Sequence, residues 1–353
     1  MLEAGLKFPS SAAKPFPEST TLAKGPRVVL KRGVAWLAAG LLLAPAVGAT
    51  QAWRPEKPVE IIIGTSPGGP QDRTGRTIQK ILQEQKLVPT PVNVVNRAGG
   101  GGVVGLNHLS QHPGDGHYLM VNAMTLFTNH ITGRTPLAYT DFTPIAVVGV
   151  EYVGVAVRAE SPFKTGRELT ERLKRDPASL SVSIGTTFGN ATHISFALAM
   201  KAAGVDIRKL KAVVFNSGGE AMTALLGGHV DAMASAPSTL LQQIKAGKVT
   251  MLAIGAPQRL SGDLSGIPTW KDLGIDASFE LWRGLAGPRG MTRAQVQFWD
   301  DALGKVVRTE EWKNDLARFE MEDVYRNSGD TARYWKMQHD EVRTVLTELG
   351  LAK

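Results

Sequence analysis

The chain has 353 residues, 43% hydrophobic and 20% charged, with 38 Gly and 20 Pro, enough for two packed domains and unlike a collagen, a coiled coil or a disordered chain. Of 40 basic and 32 acidic residues, six and two fall in the first 52 positions, and the remaining 34 against 30 is too thin an excess for a nucleic-acid groove. There is no cysteine, which excludes disulfides, thiolate metal sites and cysteine nucleophiles.

Lys31 and Arg32 precede an apolar run from Val34 to Val47, followed by the small-residue stretches Val47-Gly48-Ala49 and Thr50-Gln51-Ala52. A positive start, a short apolar core and a small-residue cleavage site form a secretory signal. The run is short for a membrane span and contains Pro45. The expectation is a signal peptide with an N-terminal extension over residues 1–52, matured after Ala49 or Ala52, and an exported protein. A buried helix or a single N-terminal anchor is the competing reading.

From there strand and helix alternate. Val59 to Ile63 is a short apolar run ending at Gly64, the pattern of a buried strand. Gly68-Gly69-Pro70 breaks the chain, and Asp72 is placed to cap a helix that carries Ile78, Ile81 and Leu82 on one face. Val92 to Val95 is the next strand, and a cluster from Gly99 to Gly102 opens a helix through Leu106 and Leu109. Tyr118 to Val121 is a third strand. Further strands are expected at 181–184, 212–215, 230–234 and 250–254, and helices at 191–203, 220–226 and 238–246. From Thr292 on the pattern is helical only. This alternation predicts an α/β fold of mainly parallel sheets with helices on both faces.

Tyr152 to Val157 and Glu280 to Ala286 interrupt the rhythm as extended segments. Such a pair fits two crossings between lobes. Lobe 1 would then be residues 53–156 joined by 280–353, and lobe 2 residues 157–279. Paired crossings permit hinge closure around a ligand.

Ligands of open α/β sheets sit beyond the carboxyl ends of the strands. Three loops there are rich in Gly and in hydroxyl or amide residues: Gly64 to Asp72, Gly185 to His193, and Asn216 to Glu220. Each opens a helix, whose first amides lack intrahelical partners and attract an anion. Plain turn chemistry explains any one of them alone; three together point to a site. Gly64-Thr65-Ser66-Pro67-Gly68 also matches the nucleophile elbow of serine hydrolases. The residue after that Ser must donate its N–H to an oxyanion, and Pro67 has none. The glycine cluster lacks the Lys and Ser/Thr of a phosphate loop. His108 and His112 are four apart on a helix, but no Glu follows in metalloprotease fashion, so both are expected at the surface. His193 either packs or lines the cleft.

The residues that carry a resemblance run along nearly the whole chain from Trp53. They are Pro67-Gly68-Gly69 with Asp72; Asn96-Arg97 with Gly99, Gly101 and Gly102; Pro113, Asp115 and Gly116; and Asp141-Phe142 with Pro144. Gly189 with His193, the run from Leu225 to Asp231, Ala246-Gly247-Lys248, Ile267-Pro268-Thr269 and Gly287-Pro288 follow in order. In this set the chain resembles the tripartite tricarboxylate transporter substrate-binding proteins, the Bug family. Each motif is loose, and their collinear order is specific. The resemblance implies a two-lobed periplasmic-binding-protein fold of the Venus flytrap kind, type II-like, with two doubly wound sheets and a two-strand hinge. It implies a periplasmic protein, not an enzyme, that captures a small organic carboxylate and delivers it to inner-membrane permease subunits. No cofactor, metal or nucleic acid enters, and a monomer is expected. Residues carried over as ligand contacts are Thr65, Ser66, Pro67, Gly68, Gly69, Gln71 and Asp72; Asn122, Met124 and Asn129 on the floor; Gly189, Asn190, Ala191, Thr192 and His193; and Ser217, Gly218 and Asp231.

The chain departs from the family at Thr65 and Ser66, where an aromatic is frequent, and at Phe215-Asn216-Ser217, where Tyr-Lys-Gly is frequent. Asn190 and Ala191 stand where Thr or Ser is usual. None of the three loops holds Lys or Arg apart from Arg73 beside Asp72. Burying three anionic groups there without counter-charge is costly. The expected ligand therefore has one buried carboxylate and polar groups. Asp72 is read as a cap rather than a partner for a ligand amine. Two other function classes share parts of this pattern: a ligand-sensing adaptor for a signalling receptor, and a hydrolase built on Ser66.

Overall fold

The computed structural model describes residues 53–353 except positions 186 and 216. The apolar runs become two five-stranded sheets. In the first, β1 (Val59–Ile63) lies parallel between β2 (Val92–Asn96) and β3 (Tyr118–Asn122). β4 (Phe142–Glu151) closes the far edge. Between β3 and β4 runs β10 (Leu281–Pro288), antiparallel to both. The second sheet repeats the plan. β6 (Ser181–Ser183) lies parallel between β7 (Lys211–Val213) and β8 (Ala232–Ser235). β5 (Gly154–Arg158) runs antiparallel between β8 and β9 (Val249–Ile254).

Each sheet is mainly parallel, as the alternation predicts, yet one strand in each runs against the other four. The reason is the crossings. β4 leads directly into β5, and the chain returns from lobe 2 into β10. A strand arriving from the other lobe enters at the carboxyl ends of the resident strands, so it runs against them. Each sheet accepts one such strand, and the protein is a two-lobed α/β fold with two connecting strands. The same geometry turns the carboxyl ends of both sheets toward each other.

Why these segments take these forms is local. Ile61, Ile62 and Ile63 are fully buried, as expected of a strand covered on both faces. Helix α1 (Pro70–Glu84) turns Ile78, Ile81 and Leu82 onto that sheet. Fully burying each such side chain contributes roughly 1.5–3 kcal/mol, so an acidic residue at Ile81 would break the packing. Gly75 sits where a Cβ would come within 2.5 Å of Ile63 Cδ1, which lets α1 approach β1 closely. Helices α2 (Val103–Ser110) and α3 (Thr125–Ile131) complete the first half of lobe 1. Lobe 2 carries α4 (Gly166–Arg175), α5 (Ala191–Ala202), α6 (Gly218–Leu226) and α7 (Pro237–Lys245).

The C-terminal part holds α8 (Arg293–Val306), α9 (Glu310–Arg318) and α10 (Ser328–Glu348). It is not helical throughout. Residues 322–326 bridge to the outer edge of β4 at both ends, with Glu322 N–H donating to Val150 O at 2.8 Å and Arg326 N–H to Val147 O at 2.9 Å. An uncovered edge strand would invite association. Where the lobes join, Arg283 on β10 donates to Glu151 on β4 at 2.5 Å, both side chains nearly buried. Arg326 grips both oxygens of Glu280 at 2.9 and 3.1 Å. The end of α10 reaches lobe 2, where Glu348 accepts from Lys201 Nζ at 2.6 Å.

Among the described residues no helix is long and apolar enough to cross a membrane. The export signal expected over residues 1–52 lies outside the described residues.

Candidate ligand-binding site

The first loop leaves β1 at Gly64, whose Cβ would stand 2.9 Å from Met120 Cε and 3.0 Å from Gly102 Cα. The glycine therefore lets two backbones pass at contact distance. Ser66, Pro67 and Gly68 are exposed, and Thr65, Gly69 and Gln71 partly so. Gly68 takes a φ of +85°. Asp72 does not cap α1. The cap is Gly69, and Pro70 opens the helix where its missing N–H has no function. Asp72 lies in the first turn, is buried, and reaches back along the loop. It accepts from Gly68 N–H at 2.8 Å, Arg76 Nε at 2.9 Å and Asn96 Nδ2 at 2.9 Å. Asn96 Nδ2 also donates to Thr65 O at 3.0 Å. Burial alone would raise the Asp72 pKa; the Arg76, Gly68 and Asn96 bonds outweigh it and hold the carboxyl at about 2. Asp72 is thus an ionised clamp on the loop. Among the described residues Thr65 Oγ1 is buried without a partner.

The floor of lobe 1 lies beside this loop. Gly99 to Gly102 all take positive φ, and Asn129 Nδ2 donates to Gly101 O at 3.0 Å, fixing the turn. Asn122 and Asn129 are buried, as is Met124 just before α3. Asn122 Nδ2 makes a long bond of 3.3 Å to Met120 O.

In lobe 2 the second loop is built around a cap. Asn190 Oδ1 accepts from His193 N–H at 2.8 Å and starts α5. His193 is buried, and its Nδ1 accepts from Gly189 N–H at 3.0 Å. An accepting Nδ1 puts the ring proton on Nε2, and burial pushes the His193 pKa down to about 4, so the ring is neutral. Of the two readings open for His193, the packing one describes these contacts. Gly189 takes a φ of +75°, and its Cβ would stand 3.1 Å from Leu346 Cδ2 and 3.8 Å from Thr132 Cγ2. The loop therefore meets the end of α3 and the end of α10. Ala191 and Thr192 form the half-buried first turn of α5. In the third loop Ser217 caps α6 through Glu220 N–H at 3.2 Å, and Gly218 begins that helix. Thr186 and Asn216 lie outside the described residues.

The first loop and the floor stand at the carboxyl ends of β1 and β3. The second and third loops stand at the carboxyl ends of β6 and β7. Asp231 does not join them. It precedes β8 at the opposite end of the sheet, where its carboxylate accepts from Ser181 N–H and Oγ, each at 2.7 Å. Phe188, on the second loop, escaped notice as a contact. It is 48% exposed and meets His193 edge-on with ring centroids 5.8 Å apart. Its type marked it as apolar, but only the fold shows it uncovered. His108 and His112 are half-buried rather than free at the surface: His108 pairs with Glu60 at 2.9 Å and His112 stacks on Tyr118. Among the described residues no group of three His, Asp or Glu is placed to hold a metal.

The profile of the tripartite tricarboxylate transporter family receptor matches residues 75–351. The chain belongs to this family. It is 29% identical over 329 residues to the UPF0065 protein in the gbd 5′ region of Cupriavidus necator, covering 92% of this chain and 98% of that one. Among solved structures it is similar to a TctC solute-binding protein from Polaromonas without ligand, at 27% identity and a TM-score of 0.73, covering 84% of this chain and 99% of that one. It shares the fold of MatC from Rhodopseudomonas palustris with bound malate, at 24% identity and a TM-score of 0.65, covering 84% and 99%.

Proposed function

We propose that this receptor captures a small organic carboxylate between its lobes in the periplasm and delivers it to the permease subunits of a tripartite tricarboxylate transporter. The observation that carries the reading is the pair of loop systems on opposite lobes at facing strand ends. They open α1, α5 and α6, whose first amides are free of intrahelical partners and favour a negative charge. Asp72, Asn190 and Ser217 are engaged in holding the loops, so their contribution to the ligand is positional, and the gripping is left to backbone N–H groups. MatC, with bound malate, is a relative of the same fold.

The moving bodies are residues 53–156 with 280–353, and residues 157–279, in a protein acting as a monomer after its signal is removed. The open form takes the carboxylate at one lobe, and closure adds donors from the other and excludes water, which strengthens each bond. Ligand shifts the balance by its differential affinity for the closed form. No covalent step is included, because Pro67 after Ser66 offers no oxyanion donor. Calorimetry of the mature protein against a panel of organic acids tests the reading, and binding of none would overturn it. Ester turnover that Ser66→Ala abolishes would replace it with hydrolysis.

A further inference from the structure

Arg134 stands exposed on lobe 1, with no carboxylate in ion-pair reach among the described residues. It follows α3, and its backbone N–H donates to Asn129 O at 2.8 Å, folding the segment back over the helix end. The side chain returns to the glycine turn. Nη1 lies 3.6 Å from where a Cβ on Gly101 would stand, and Asn129 Oδ1 lies 3.4 Å from the same point. Gly99 to Gly102 have no side chains, so the backbone beside this guanidinium is open. Thr132, two residues earlier, is where lobe 1 meets Gly189 of lobe 2. The segment that carries this cation therefore borders the seam between the lobes, and the guanidinium itself lies over the glycine turn of the floor.

Three arginines near the floor and the crossing strands have a carboxylate close by, while Arg97 and Arg158, like Arg134, have none within ion-pair reach among the described residues; of these three, Arg134 is the one whose guanidinium lies against the glycine turn. Arg76 pairs with Asp72 at 2.9 Å, Arg283 with Glu151 at 2.5 Å, and Arg73 lies 3.9 Å from Asp315. Among the described residues no Asp or Glu stands within ion-pair reach of Arg134, and it is exposed. An unmatched guanidinium over a bare turn, at the edge of an anion site, is suited to bidentate contact with a carboxylate.

We propose that Arg134 is a second anchor, selecting ligands that carry a further carboxylate at the end remote from the facing loops. The inference rests on the carboxylate reading and deepens it. One carboxylate is enclosed among amides, where extra charge would be costly. The other stays at the rim, partly solvated, where one cation suffices. The loops' lack of Lys and Arg is then compatible with a dianionic ligand.

The test compares succinate, glutarate and adipate with butyrate, valerate and hexanoate by calorimetry on the mature protein and on Arg134→Gln and Arg134→Lys. At least one dicarboxylate should bind about tenfold tighter than its single-acid partner, an advantage that shrinks as salt rises, since the site is exposed. Arg134→Gln should remove most of that advantage and leave the monocarboxylates within about twofold, while Arg134→Lys should keep part of it. Equal affinity for paired acids in the parent protein, or an equal loss for both in Arg134→Gln, overturns the inference alone. Binding of no acid of either kind overturns the carboxylate reading beneath it as well.

Discussion

Replacing Asp72 by Asn separates two accounts of the first loop. If charge alone mattered, removing an anion beside an anion site would tighten binding. The geometry says the reverse, because the Asp72 carboxylate fastens Gly68, Asn96 and Arg76 together. Its folded pKa of about 2 against the ordinary 3.8 of an aspartate corresponds to about 2 kcal/mol of stabilisation. A lowered carboxyl pKa makes that contribution present above about pH 4 and lost as pH falls through about 2. Asp72→Asn should therefore unfold at lower urea at pH 7 by an amount equal to about 2 kcal/mol, and the gap should narrow between pH 4 and pH 2. Acid affinity at pH 7 should drop by about tenfold or more, as the loop is released. Urea titrations across that pH range and calorimetry at pH 7 provide the readings. A stability gap independent of pH would refute the ionised clamp. Equal or tighter ligand binding would refute its role in shaping the site.

Burial lowers the His193 pKa to about 4, so the unfolded chain takes up its proton first as pH falls from about 6.5. Stability should decline from pH 6.5 to pH 4 by as much as about 3 kcal/mol, and a His193→Gln variant should lose that slope in urea titrations. Asn190→Leu removes the cap of α5 and should cost about 1 kcal/mol of stability together with ligand affinity, whereas Asn190→Asp should keep the cap when unfolding is measured. Gly68→Val has room for its side chain but not for its backbone, at a φ of +85°; calorimetry should show binding lost with the thermal midpoint little changed. Glu151→Ala should destabilise by about 3 kcal/mol, since it leaves the nearly buried Arg283 charge unmatched, and an Arg283→Met change added to it should recover most of the loss in chemical unfolding.

How much of this was legible beforehand depends on the range of the forces involved. Ile61, Ile62 and Ile63 announce a strand covered on both sides, and Ile78, Ile81 and Leu82 announce a helix face, because side-chain periodicity is a local property. Glycine at 68, 189 and 99–102 marks backbone that only glycine adopts cheaply, so the loops could be located from the chain alone. The collinear motifs did the same for the family. Strand direction is different. That β10 and β5 run against their neighbours follows from where the chain re-enters each sheet, and no window of sequence holds that information. Asp72 was legible as a residue near a helix start, but its grip on Asn96 spans 24 positions and exists only when β2 lies beside α1. Asp231 was misplaced for the converse reason: it is close to the loops in motif order, yet the strand carries it to the far end of the sheet. Composition and local pattern thus determined which segments become strands, helices and glycine turns, since those depend on neighbours a few residues away. Tertiary structure alone decided which polar groups meet, which stay unmatched like Arg134, and which lie bare like Phe188, because burial and electrostatic pairing act through space rather than along the chain.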